Sequence, residues 1–149
     1  MYLNCHSYFS LKYGTISIQN LVSKAAEMGI STLALTDINN SSGVFDFVKA
    51  CLAFKIKPIV GIELRNGDEL KYICLAKNWE GFREINDFLT EFLMKEKPFP
   101  TKAPAYKNAF TIYPVQYLET NPSLSENEWV GVRFWELTKL YRFQKTKAF

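Results

Sequence analysis

Apolar positions in the first hundred residues alternate between two spacings, and the alternation predicts repeated strand–helix units. After a short apolar start, "MYLNC" (1–5), Ile18, Leu21, Val22, Ala25 and Met28 recur at helical spacing, with Ser17 placed to cap the N-terminus and Gly29 the C-terminus. "STLALT" (31–36) is a compact apolar run suited to a strand buried on both faces. A polar loop, "DINNSSG" (37–43), leads to a second helix with Val44, Phe47, Val48 and Cys51 on one stripe. "KPIVGIEL" (57–64) reads as a strand, and Asn66-Gly67 as a two-residue hairpin turn into "LKYICLAK" (70–77). "WEGFREINDFLTEFLMKE" (79–96) predicts the longest helix, with Phe82, Ile85, Phe88, Leu89 and Phe92 in register.

Beyond residue 96 the pattern thins. "KPFPTKAPAYKN" (97–108) is a Pro-rich connector. "AFTIYPV" (109–115) and "WVGV" (129–132) predict strands, and "RFWELTKLYRF" (133–143) a last helix. The chain therefore divides into βα units over 1–96 and a continuation of the same domain over 97–149.

One repeat stands out. "KAAEMGISTLALTD" (24–37) and "KACLAFKIKPIVGIE" (49–63) are each a helix end, a turn, a buried strand and an acid. His6, Asp37 and Glu63 thus follow successive strands at intervals of 31 and 26 residues, the length of one βα unit. Right-handed crossovers wind such units into a parallel sheet or barrel, and polar residues at the strand ends gather on one rim. The bulk properties add limits. The chain's 149 residues suffice for one domain, and a net charge of +3 is too weak to argue for nucleic acid. Its last eight residues, "RFQKTKAF", carry three basic groups and no acid. Basic and aromatic residues interleave only over Arg133 to Lys147, as a helix surface would also have them.

Cys5, Cys51 and Cys74 are scattered, with no CxxC, which points to small core residues in a reducing, cytoplasmic setting. There is no secretory leader pattern, no membrane-spanning run, no Walker loop and no GxGxxG. Cys5 and His6 are neighbours on a strand, point to opposite faces and make a poor Cys–His pair. His6 is the only histidine. A single histidine is ordinarily structural, and hydrolytic metal chemistry needs three or four protein ligands per ion. Asp37, followed by Asn39, Asn40, Ser41 and Ser42, reads equally as a cap or loop-bonding residue. Glu63 ends the run Ile59-Val60-Gly61-Ile62 and is harder to read as a cap.

"NCHSYFSLKYG" (4–14), "ALTDINNSSGVFDFVKAC" (34–51), "IKPIVGIEL" (56–64) and "LAKNWEGFREIN" (75–86), in that order, resemble the PHP (polymerase and histidinol phosphatase) domain that opens bacterial DNA polymerase III alpha subunits, closest to a Bacteroidetes-like form. The resemblance spans residues 1–93 and implies an α/β fold, part of a distorted (β/α)7 barrel with mostly parallel strands. At roughly thirty residues per unit a full barrel needs more than two hundred, so the chain is expected to be an N-terminal piece or a truncated product. In metal-binding members the motif positions hold a cluster of ions. Here Asn4 stands for the first histidine, Tyr13 for an aspartate and Ile38 for another histidine, leaving His6 and Glu63 with Asp37 beside them. The resemblance therefore implies a degenerate site with no catalytic residue, no metal and no cofactor. The expected role is structural or partner-binding, as part of a replicative polymerase, a DNA-directed nucleotidyltransferase. Its expected partners are the remainder of the polymerase polypeptide and a proofreading or other replisome subunit, with DNA reached only through the parent protein and no membrane. A free-standing PHP metal-dependent phosphoesterase is the alternative, and a chance-matched α/β binding module a third.

Overall fold

The structure, a computed structural model, describes residues 1–121 and 123–138. The elements run α1 (Ile18–Glu27), β1 (Thr32–Leu35), α2 (Val44–Ala53), β2 (Lys57–Asn66), β3 (Glu69–Ala76), α3 (Trp79–Met94), β4 (Ala109–Pro114) and β5 (Glu128–Gly131), with short 3-10 turns at Val115–Glu119 and Phe134–Glu136. The strands form one sheet in the order β1-β2-β3-β4-β5. β1 pairs parallel with β2, β2 antiparallel with β3, β3 antiparallel with β4, and β4 parallel with β5. Four of the five strands therefore run in one direction, and only β3 is reversed.

Local chemistry explains the boundaries. Ser17 Oγ accepts the Asn20 N–H at the start of α1, and Ile18, Val22 and Ala25 bury one face. The helix closes with Gly29 N–H on Ala26 O and Ile30 N–H on Ala25 O, both at 2.9 Å. Asn78 caps α3 through Gly81 N–H at 2.9 Å. The β2–β3 turn sits one residue later than Asn66-Gly67 suggests. Asn66 pairs with Glu69, leaving Gly67 and Asp68 as the turn, with Gly67 at φ +60°.

Among the described residues, the three helices α1, α2 and α3 pack on one face of the sheet. α1 and α2 cover Leu33, Leu35 and Ile56, while α3 covers Ile62, Leu64, Tyr72 and Cys74. The opposite face carries Ala34, Ile59, Ile73, Leu75 and Ile112, and among the described residues no helix residue joins that cluster. The Pro-rich connector is anchored: Phe99, Ala103 and Tyr106 are buried against α3's side of the sheet. Asn66 fixes Phe99 by paired hydrogen bonds, 2.8 and 2.9 Å, to its backbone N–H and carbonyl.

A further expectation differs from the structure. "MYLNC" is not a full strand. It touches β1 through one parallel bridge, Tyr2 to Leu33, with hydrogen bonds from Ala34 N–H to Tyr2 O and from Thr36 N–H to Cys5 O. Met1 and Leu3 stay exposed, so little burial holds a longer ladder in place. The helix expected over 133–143 begins as the 3-10 turn Phe134–Glu136, and its part beyond Thr138, with "RFQKTKAF", lies outside the described residues.

Candidate functional site

The ends of the N-terminal segment, β1 and β2 converge. A parallel bridge joins Ile38 to Glu63, with Glu63 N–H on Asp37 O at 3.2 Å and Asn39 N–H on Glu63 O at 2.9 Å. Glu63 is 1% exposed and is the centre of the cluster. Asn4 Nδ2 donates to its Oε2 at 2.9 Å, and His6 Nε2 lies 3.2 Å from the same oxygen. Arg65 Nε donates to the other oxygen, Oε1. Burial alone would raise the Glu63 pKa, but the hydrogen bonds from His6, Arg65 and Asn4 outweigh it and hold the carboxyl below its usual range. Asn4 is itself held by Thr36, whose hydroxyl donates to Asn4 Oδ1 at 2.6 Å.

Asp37, 2% exposed, serves a different purpose from Glu63. Its carboxylate accepts from Ser7 N–H at 2.7 Å, Ser7 Oγ at 2.7 Å and Ser10 Oγ at 2.6 Å. It ties down the 4–14 loop. It does not cap α2, whose N-cap is Gly43 without a side-chain bond. Ser10 Oγ in turn accepts the Ile38 N–H at 3.0 Å. Ile38 thus contributes backbone and an aliphatic side chain to the rim, with no donor for an ion.

Tyr13 is 43% exposed and makes no hydrogen bond to Glu63. Its hydroxyl donates to Asp68 Oδ1 at 2.6 Å, which raises the phenol pKa. Its ring lies under the Arg65 guanidinium, 4.7 Å from centroid to Cζ. The structure therefore brings Asn4, His6 and Glu63 into direct contact, sets Asp37 and Ile38 beside them, and links Tyr13 only through Arg65. Sequence reasoning missed Arg65, Ser7 and Ser10. The signal for Arg65 was the two-residue strand period, which puts it on the Glu63 face. Among the described residues, no three His, Cys, Asp or Glu side chains form a group that could hold a metal ion.

Comparison with known proteins places the chain by family. The PHP domain model matches residues 3–129, and the chain belongs to that family. Curated relatives are DNA polymerase III alpha subunits: 38% identical in Chlamydia muridarum, 37% in Treponema pallidum and 34% in Staphylococcus aureus. These matches cover 56%, 57% and 62% of this chain but only 8%, 8% and 9% of the relatives, in their N-terminal region. A crystal structure of a provisionally assigned metal-dependent phosphoesterase from Bifidobacterium adolescentis superposes with a TM-score of 0.47 and 12% identity, covering 96% of this chain and 74% of that one. No helix among the described residues is long and apolar enough to cross a membrane.

Proposed function

We propose that this chain is the PHP portion of a replicative DNA polymerase alpha subunit, non-catalytic by itself, and that its rim is held by hydrogen bonds where ion-binding relatives use metal. Its role is architectural: it packs on the remainder of the polymerase polypeptide and offers a surface to a proofreading or other replisome subunit, in the cytoplasm. The observation that carries this reading is the saturation of Glu63. Both carboxylate oxygens already accept from nitrogen donors, one of them a guanidinium. Asp37 is likewise filled by Ser7 and Ser10.

The residues present do not fit an ion cluster. An amide turned to donate and an aliphatic side chain give no ligand at positions 4 and 38, and a cation beside Glu63 repels a second one. A free-standing phosphoesterase of this family would need those ligands. Metal analysis of the purified 149-residue chain, with hydrolysis of p-nitrophenyl phosphate in added Mn²⁺, tests the reading. The expected result is metal far below stoichiometry and no turnover above buffer. Near-stoichiometric zinc or manganese, or Mn²⁺-dependent hydrolysis, overturns it in favour of the phosphoesterase.

A further inference from the structure

We infer that Arg65 and Tyr13 act as one coupled unit that takes the electrostatic place of a metal ion and its carboxylate ligand; this rests on the non-catalytic reading above. The guanidinium makes contacts in several directions. Nε meets Glu63 Oε1, Nη1 donates to Asp68 O at 3.1 Å, and the planar face covers the Tyr13 ring at 4.7 Å. Its backbone is fixed as well: Arg65 N–H donates to Asn39 Oδ1 and Asn39 Nδ2 to Arg65 O, both at 2.9 Å. The 4–14 loop, the 37–39 stretch and the 63–68 hairpin are therefore clamped around one cation.

Charge counting explains why position 13 is an aromatic. A divalent ion can be balanced by two carboxylates. A guanidinium carries one charge, and Glu63, buried and ionised, already balances it. A second carboxylate at position 13 would add uncompensated negative charge beside the buried Glu63, damped by the partial exposure of position 13. A neutral ring keeps the balance and still holds the cation through its face, while the phenol hydroxyl reaches out to Asp68. Asp68 belongs to the exposed turn, where water screens it. The departure from the family pattern at position 13 and the cation at position 65 are thus parts of one replacement.

Two measurements on the 149-residue chain test this. The first is a double-mutant cycle by thermal unfolding with Tyr13→Leu, Arg65→Met and both. Tyr13→Leu is expected to lower the Tm by about 2–4 °C, Arg65→Met by more, and the pair by less than the sum, because both remove the same contact. Additive losses overturn the coupling and leave the non-catalytic reading intact. The second is Co²⁺ titration followed by visible absorption, with Zn²⁺ thermal shift, on the wild type and on Tyr13→Asp/Arg65→Met. The double variant is expected to gain a cobalt band and a zinc-dependent rise in Tm that the wild type lacks, because it presents His6, Glu63 and the returned carboxylate without the competing cation. A folded double variant silent to both metals overturns the inference. A wild type that binds cobalt overturns the functional reading as well. If the double variant does not fold, the cycle alone decides.

Discussion

Asn4 Nδ2 and Glu63 Oε2, 59 positions apart in the chain, meet at 2.9 Å, and this bond joins the start of the chain to the end of β2. The amide works in both directions, since its oxygen accepts from Thr36 at 2.6 Å. Asn4→Ala removes a donor from an ionised carboxylate and an acceptor from Thr36. The expected loss is about 1–2 kcal/mol, read as a lower urea midpoint at pH 7 with an unchanged m-value. Asn4→Asp should lose more, because it sets a like charge against Glu63, and the difference between the two variants should shrink as pH falls and carboxylates protonate.

Glu63 also sets an acid limit on stability. Its folded-state pKa lies below the usual 4.5, so as pH falls the unfolded chain takes up the proton first. The stabilisation from this group is fully present above about pH 4.5 and is lost as pH drops through the lower folded value. Glu63→Gln should therefore be less stable than wild type at pH 7, with the gap closing as pH falls below 4.5 through the lowered folded value. Guanidinium unfolding at a series of pH values checks this, and a gap independent of pH would rule out the ionised carboxylate as its source.

How much of this was legible in the sequence follows from which residues share a spacing rule. The intervals separating His6, Asp37 and Glu63 are one βα unit long, and parallel pairing of the strand ends does bring Glu63 against Asn4, His6 and Ile38. Helix caps were equally readable, because Ser17 and Gly29 act within one turn of the backbone. Side-chain direction was not. Asp37 and Glu63 are both acids after strands, yet one faces the serines of the loop and the other faces Arg65. That difference depends on the path of the 4–14 loop, which no periodicity encodes. Arg65 was not singled out at all, and its contact with the Tyr13 ring, 4.7 Å from Cζ to centroid, joins segments far apart in the chain.

The three thiols should differ sharply in reactivity. Cys51 and Cys74 are buried, and desolvation pushes their pKa values up to about 11 and about 12. Cys5 is half-buried, and burial raises its thiol too. At pH 8 little thiolate exists at any of them, but Cys5 alone has partial solvent access. Labelling of the native chain with DTNB should proceed slowly at one site, with the other two appearing only on global unfolding. Mass mapping should assign the slow site to Cys5, and prompt modification of Cys74 would mean that α3 leaves the sheet far more often than its packing implies.

Gly81 gives a test in which propensity and packing predict opposite signs. It is the third residue of α3, and at an open helical position alanine in place of glycine would stabilise by about 1 kcal/mol. Here a Cβ would lie 1.8 Å from the carbonyl oxygen of Asn108. That oxygen is not free to move, because it accepts the Lys77 N–H at 2.9 Å and so joins the connector to the end of β3. Asn108 is held from the other side by Glu84, with Nδ2 to Oε1 at 2.8 Å. The close approach of backbone to backbone is what seats α3 on the strand pair. Gly81→Ala must therefore push the helix away or break the Lys77 bond, and sterics should outweigh propensity with a net loss of about 1–3 kcal/mol. Chemical denaturation checks the sign. A stabilised variant would mean that the connector yields readily at Asn108, and hydrogen exchange at the Lys77 amide should then be fast in the wild type as well.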